Sequence, residues 1–237
     1  MRILAFETSA KAASVALLED GRLTAESYQN SGLTHSRTLM KMAEDLLRNC
    51  GLPPSGIDAA AAASGPGSFT GVRIGVAAAK GFAWGREIPC RGVSTLEAMA
   101  WTAAPCKELI VPAMDARRSQ VYCAAFYRTE DGVRRALEDA ALSIEELGGR
   151  LRDIHGEKIL VGDGAELCYN TLRDALPGLK LSAEHLRFQR ASGVALGAWD
   201  ALRRGEPADP ALLVPTYLRM SQAERERKKR EELKENG

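Results

Sequence analysis

Short apolar runs open the chain and predict a small meander of β-strands. The runs cover residues 3–6, 13–18 and 23–28, and each is short enough for one strand. Asp20 and Gly21 separate the second run from the third, and an Asp-Gly pair is typical of a two-residue hairpin turn. The first 30 residues are therefore expected to form three sequential strands.

A helix, a buried strand and a second helix are predicted next. The first helix should span about residues 36–50, because its apolar positions recur at helical spacing. Those positions are Leu39, Met42, Ala43, Leu46 and Leu47. The small apolar run 57–63 predicts a buried strand, which leads through a glycine-rich loop at 64–71 into a helix over about 72–84.

The second half of the chain repeats this order. An apolar run at 109–114 ends in Asp115 as the first run ends in Glu7, and a strand at 119–127 leads to Asp131-Gly132, a second predicted hairpin turn. A strand at 159–161, a glycine loop and a helix at 165–176 follow. The repetition predicts a duplicated domain, although apolar runs and Asp-Gly turns can also recur by chance.

Two domains and a tail follow from the repeat. The predicted domains are residues 1–106 and 107–219, and the second includes a further helix over 192–203. The tail 220–237 is almost entirely charged and is expected to be a frayed helix or disordered. The alternative is contact with nucleic acid or a partner through its basic residues, which are Arg225, Arg227, Lys228, Lys229 and Arg230.

Composition narrows the function classes. A content of 45% hydrophobic and 27% charged residues is typical of an ordinary globular protein, and a net charge of +1 predicts no uniform attraction to nucleic acid. The five cysteines show no Cys-x-x-Cys spacing, which favours reduced thiols over zinc or disulfides. Neither a signal peptide nor an 18-residue apolar span is evident, so a cytoplasmic protein with no membrane partner is expected.

Polar residues at the strand ends are the candidates for ligand binding. Glu7, Thr8 and Ser9 follow the first strand, and Asp115 holds the matching place in the second half. A duplicated fold with such residues at its strand ends resembles the actin-like ATPases, in which they approach phosphates between the two domains. The alternative is that they satisfy the backbone groups of a turn. Gly65 and Gly67 in the following loop allow close backbone approach, so the loop either holds an anion or is a tight turn from strand to helix.

Small residues mark the second predicted helix. They are Gly71, Gly75, Ala78, Ala79 and Gly81. A flat stripe of this kind suits close packing on a helix, either of a partner or of this chain. No hydrolase or metalloprotease motif is present, and His35, His155 and His185 are isolated, so neither catalytic residues nor metal ligands are predicted. His35 should cap a helix or lie at the surface.

Four segments together resemble one family. They are Ile-Leu-Ala-Phe-Glu-Thr-Ser at 3–9, Thr-His-Ser at 34–36, Gly-Pro-Gly-Ser-Phe-Thr-Gly-Val-Arg-Ile-Gly at 65–75, and Pro215-x-Tyr217-Leu218-Arg219. The chain resembles the TsaB family, also called YeaZ, over nearly its whole length. The resemblance implies an α/β protein with the actin-like ATPase fold (ASKHA, ribonuclease H-like), built from two duplicated βββαβα-type domains.

The resemblance also implies a function and an interface. It implies a non-catalytic scaffold or activator that dimerises with a TsaD-like catalytic subunit and recruits a TsaE-like ATPase to make threonylcarbamoyladenosine in tRNA. No cofactor of its own is required, although ADP or ATP is expected at the interface of the complex, and the isolated chain is expected to homodimerise. The interface is placed on two helices, at His35, Leu39, Met42, Ala43, Leu46, Leu47, Arg73, Ile74, Ala77, Ala78 and Gly81.

One feature of the resemblance argues against a metal site. In the catalytic relative, two histidines four residues apart on the first helix bind a metal, whereas four residues beyond His35 stands Leu39. One imidazole cannot replace several ligands. The competing hypothesis is an enzyme acting alone, either an actin-fold ATPase or sugar kinase, or a protease. A tRNA-binding protein that uses the charged tail is a third hypothesis.

Overall fold

The computed structural model describes residues 1–103 and 107–219. The predicted tail 220–237 and Cys106 lie outside the described residues. The strands are β1 (Arg2–Glu7), β2 (Ala13–Glu19), β3 (Arg22–Gln29), β4 (Ala59–Gly65), β5 (Cys90–Ser94), β6 (Leu109–Asp115), β7 (Gln120–Thr129), β8 (Gly132–Ser143), β9 (Lys158–Val161) and β10 (Leu179–Leu181). The helices are α1 (His35–Asn49), α2 (Phe69–Trp84), α3 (Thr95–Thr102), α4 (Ile144–Arg152), α5 (Ala165–Leu172), α6 (Glu184–Arg187) and α7 (Ala191–Arg203).

Two five-stranded sheets share one topology. The first has the order β3-β2-β1-β4-β5, and the second, in the same direction, has β8-β7-β6-β9-β10. In both sheets the first three strands are antiparallel and the last three are parallel. This match confirms the predicted α/β fold with two duplicated halves.

Strand β4 shows why its sequence is nearly all alanine. Ala60 and Ala62 face a core that contains Val72 and Val76 of α2, whereas the intervening alanines face a different core formed with α7. Side chains alternate along a strand, so β4 is covered on both faces. Small side chains allow both helices to pack closely.

The two predicted hairpin turns differ in the structure. Asp20 and Gly21 both have positive φ, 48° and 78°, as the predicted two-residue hairpin requires. The second turn is one residue earlier than predicted, because its two turn residues are Glu130 and Asp131, and Gly132 already pairs with Thr129 as the first residue of β8.

Helices α3 and α7 connect the two halves. Leu96 and Met99 of α3 pack with Ile110 and Phe126 of the second sheet, although α3 follows the first sheet in the chain. Conversely, α7 lies within the predicted second domain but packs on the first sheet, with Ile3 and Leu18 among its neighbours. The predicted boundary between residues 106 and 107 adjoins the undescribed residues 104–106, and the domain ranges stay a prediction.

After α7 the chain forms an extended segment, residues 206–219, which we call the strap. It follows the edge of the first sheet, where Cys90 N donates to Ala208 O at 2.7 Å, and it buries Leu213 in the first core. Across residues 1–103 and 107–219, no helix combines the length and the apolar character needed to cross a membrane.

Candidate functional site: a cleft between the two sheets

A cleft of about 570 Å³ lies where the ends of β1 and β6 meet. Of the predicted ligand-binding residues, Ser9, Gly67 and Asp115 line it. The cleft also contains residues to which sequence reasoning assigned no role, namely Lys11, Arg117, Asp163, Tyr217 and Arg219. Tyr217 and Arg219 belong to the Pro-x-Tyr-Leu-Arg pattern, and this pattern was the feature of the sequence that could have indicated them as cleft residues.

The other predicted residues lie beneath the surface of the cleft. Glu7 and Thr8 are each 1% exposed, and Gly65 is also buried. Ser9 N donates to Glu7 Oε1 at 2.5 Å, whereas Glu7 Oε2 has no hydrogen-bond partner within residues 1–103 and 107–219. Burial raises the pKa of Glu7 to about 7, since the bonds from Ser9 offset the loss of solvation only partly and the nearby Asp163 charge adds to the rise.

Thr8 explains two of the glycines in α2. A Cβ at Gly71 would lie 2.1 Å from Thr8 O, and a Cβ at Gly75 would lie 2.6 Å from Thr8 Oγ1. Thr8 Oγ1 also donates to Gly71 O at 2.7 Å. The prediction that these glycines pack against another helix is therefore wrong: they let α2 approach the end of β1. Gly81 lies on the exposed side of α2, and among the described residues no atom beyond its own helix backbone is near its Cβ position.

The glycine-rich loop connects β4 to α2 and holds the strap. Thr216 N donates to Ser64 O at 2.6 Å, and Gly65, at φ 112°, leaves no room for a Cβ beside Thr216 O. Ser68 caps α2 by accepting a hydrogen bond from Gly71 N at 3.3 Å, and its own amide donates to Ser9 O at 2.7 Å. This geometry favours the tight-turn interpretation, and anion binding by the loop stays a prediction.

The second sheet supplies the opposite wall. Asp115 Oδ1 accepts from Arg117 N at 2.7 Å, and Asp115 N donates to Asp163 Oδ1 at 3.4 Å. Loss of solvation raises the pKa of Asp163, and the Asp115 charge adds to the rise. Within the described residues, no three His, Cys, Asp or Glu side chains form a group that could hold a metal ion.

An aromatic cluster closes one side of the cleft. The rings of Phe69 and Tyr217 stack with centroids 4.6 Å apart, and the Arg73 guanidinium carbon lies 3.8 Å from the Phe69 centroid. Arg73 Nε donates to Tyr217 Oη at 2.8 Å. The cluster joins α2 to the strap, and Arg219 Nη1 at the end of the strap donates to Ala116 O, in the loop between β6 and β7, at 3.0 Å.

The predicted interface residues fall into two groups. Leu39, Ala43, Leu46 and Leu47 are at most 5% exposed and pack with β2 in the first core, so their placement on a docking surface is wrong. The apolar stripe of α1 faces its own sheet. The other predicted interface residues are Met42, Ile74, Ala78 and His35, which are half-buried, and Arg73, Ala77 and Gly81, which are exposed. His35 is the first residue of α1, and its Nε2 is hydrogen-bonded to Ala10 O at 2.8 Å.

Two sheets of the same topology that face a common cleft define an actin-like ATPase fold. The family model described as "TsaD: tRNA N6-adenosine threonylcarbamoyltransferase" matches residues 29–227. The tRNA threonylcarbamoyladenosine biosynthesis proteins TsaB of Escherichia coli and Bacillus subtilis are each 34% identical to this chain, over 92% and 94% of it and 95% and 96% of their own length. YeaZ from Pseudomonas aeruginosa superposes with a TM-score of 0.78 at 31% identity, over 92% of this chain and 99% of that one. The chain belongs to the TsaB family, also called YeaZ.

Proposed function

We propose that this chain is a scaffold subunit in the biosynthesis of threonylcarbamoyladenosine in tRNA, with no active site of its own. It pairs with a TsaD-like catalytic subunit, and a TsaE-like ATPase joins the pair. Two observations support this proposal: the TsaB relatives are named as threonylcarbamoyladenosine biosynthesis proteins, and the matching family model is that of the transferase, which indicates the kind of partner. The observation that carries the pairing is the outward side of α2.

The outward side of α2 is suited to close contact with another helix. Arg73, Ala77, Gly81 and Trp84 are all exposed and recur at spacings of three and four, so they share one side, which we call the α2 outer face. Trp84 is 66% exposed, and the small residues between it and Arg73 leave the surface flat. A large exposed aromatic beside small residues is typical of interfaces. Ile74 and Ala78 flank the face and would extend its apolar area.

The relationship to the transferase family favours a paired arrangement. The match to that family begins before α1 and extends beyond α7, so a TsaD-like partner carries elements equivalent to α1 and α2. Two homologous subunits can therefore meet through equivalent helices about an approximate twofold axis. The same face would support a homodimer when the chain is alone.

Gly81→Arg tests the pairing without disturbing the monomer. Within residues 1–103 and 107–219, no atom beyond the helix's own backbone lies within 4 Å of the Gly81 Cβ position, so the fold has room for the new side chain. Replacing a helical glycine by arginine also favours the helix by roughly 0.5–1 kcal/mol. Gly149→Arg is the matched control, because Gly149 is a helical residue of α4 in the second half and has equally open surroundings.

The readouts are complex formation with the cognate TsaD-like subunit by gel filtration, and threonylcarbamoyladenosine formed in a reconstituted reaction. We expect wild type and Gly149→Arg to form the complex and support the modification, and Gly81→Arg to lose both. The proposal fails if Gly81→Arg pairs normally, or if modification proceeds equally well without this chain.

The cleft favours one alternative, a stand-alone actin-fold ATPase. Ser9, Gly67 and Asp115 meet there, beside Lys11 and Arg117. If the isolated chain turns over ATP, and Asp115→Asn abolishes that turnover, the alternative is preferred. In the scaffold proposal, ADP or ATP is held only in the complex, so calorimetric titration should detect nucleotide binding to the complex and none to the chain alone.

A further inference from the structure

We infer that the contact between Arg73, Phe69 and Tyr217 couples the α2 outer face to the cleft, so that a partner docked on α2 fixes the strap and, through it, the loop between β6 and β7. The inference rests on the proposed function, because it needs a partner on α2. It goes beyond that function by giving this chain a way to transmit docking to its second half.

Arg73 belongs to both surfaces. Arg73 is an exposed residue of the α2 outer face, where an acidic side chain of a partner helix could bond to it. Its Nε already donates to Tyr217 Oη at 2.8 Å, and the guanidinium lies against the Phe69 ring. The two Nη groups can serve a partner carboxylate while Nε keeps Tyr217, since guanidinium has five N–H donors. Docking would therefore hold Arg73 and Tyr217 in their present geometry.

The strap moves with the first half of the chain because it is bonded to it at several points. Lys80 Nζ of α2 donates to Leu213 O at 3.0 Å, and Thr216 N donates to Ser64 O at 2.6 Å. Leu213 is buried in the first core, and Gly65 packs directly beneath Thr216. Because the strap is held at these points, restraining Tyr217 also restrains the residues that follow it.

The end of the strap reaches a loop that needs support. Arg219 donates to Ala116 O, and the next three residues, Arg117, Arg118 and Ser119, have φ of 62°, 58° and 56°. The left-handed region is unfavourable for residues other than glycine, so three in succession give a loop that opens readily when its contacts weaken. The loop is closed by Ala116 N donating to Gln120 O at 3.0 Å.

This loop lines the cleft with Arg117, and Lys11 and Ser68 of the first half line the same cleft. A partner that stabilises the strap therefore also stabilises one wall of the cleft, although no part of the partner needs to enter it. The physical link runs from Arg73 to Tyr217 by a hydrogen bond, from Tyr217 to Arg219 along the backbone of the strap, and from Arg219 to Ala116 by a second hydrogen bond.

Hydrogen–deuterium exchange of the peptide 114–121 tests the link. We expect its exchange to slow several-fold when the TsaD-like subunit binds to wild type. Tyr217→Phe keeps the stacked ring but removes the acceptor of the Arg73 bond, so it should bind the partner with unchanged affinity and lose most of this slowing. Tyr169→Phe, on α5 in the second half, is the matched control and should behave as wild type.

Arg219→Ala provides a second measurement at the other end of the link. It should speed exchange of the same peptide in the isolated chain and remove the effect of the partner. If the partner binds but leaves the exchange of 114–121 unchanged, or protects Tyr217→Phe as fully as wild type, the inference is wrong and the scaffold proposal stands. If no partner binds to the wild-type chain, both are wrong.

Discussion

Replacing Gly71 by alanine should destabilise the fold, although alanine is the better helix former. The new Cβ would lie 2.1 Å from Thr8 O, a backbone atom that cannot rotate away. Ordinary contacts of a Cβ with oxygen exceed about 3 Å, so α2 and the end of β1 must separate by about 1 Å. The separation weakens the Thr8 Oγ1 bond to Gly71 O and the packing of Val72 against the sheet.

The size of the effect follows from two opposing terms. Overpacking a well-packed site costs roughly 1–3 kcal/mol, and a rigid backbone neighbour places this site at the upper end. The helix propensity of alanine returns about 1 kcal/mol. The net loss is about 2 kcal/mol, which for a chain of this length lowers Tm by roughly 4–8 °C.

Gly81→Ala is the matched control within the same helix. Its Cβ meets no atom of another element within 4 Å in the part of the chain that the structure describes, so only the helix propensity changes. Stability should rise by about 1 kcal/mol and Tm by roughly 2–4 °C. The same chemical change should therefore have opposite signs at two positions ten residues apart.

Thermal and urea unfolding followed by circular dichroism, at several protein concentrations to separate any effect of self-association, measures both variants. A Gly71→Ala protein as stable as wild type would show that α2 does not approach Thr8 as described. A Gly81→Ala protein less stable than wild type would refute the open environment of Gly81.

Three further predictions concern single side chains. Burial raises the pKa of Glu7 from 4.5 to about 7, so the folded state retains a proton that the unfolded chain releases. The resulting stabilisation of about 3 kcal/mol is complete below pH 4.5 and is lost as pH rises through 7. Urea unfolding between pH 5 and 8 should therefore show a smaller loss of stability with pH for Glu7→Gln than for wild type. The same dependence of unfolding free energy on pH in both proteins would contradict this prediction. Ser143→Ala removes the capping box with Glu146 at the start of α4 and should lower the free energy of unfolding by about 1 kcal/mol in the same assay. An unchanged urea midpoint would rule this out. Because burial raises the pKa of Cys123 and Cys168 to about 12, neither should react with a thiol reagent at pH 8 in the native state, and peptide mass spectrometry that finds them labelled without denaturant would disprove their burial.

Much of the fold could be predicted because the strands and amphipathic helices carry their own periodic signals. The two halves were recognisable from matching strand ends and turns. Helix α3 had no such signal: its residues are buried on most sides between α7 and the second sheet, so no polar stripe marks one face. A helix surrounded by protein lacks the amphipathic pattern on which the prediction depends.

The candidate site was predictable only where its residues follow regular elements. Ser9 and Asp115 lie at or just beyond strand ends, and Gly67 lies in a glycine loop, so local sequence indicated them. Tyr217 comes from an extended strap with no periodicity, about 200 residues from Ser9, and only the fold brings the two together. The apolar stripe of α1 was recognised but assigned to the wrong neighbour. Such a stripe indicates that one face of a helix is buried, but not whether its own sheet or a partner buries it.

The exchange of α3 and α7 between the two sheets has a consequence for how the molecule can be divided. Although the halves look like copies, a fragment containing only the first would leave α3 without the sheet it covers and the first sheet, with its alanine-rich strand β4, without α7. Each copy completes the hydrophobic core of the other, so the two should fold cooperatively as one unit. Full separation of the two halves would therefore amount to unfolding.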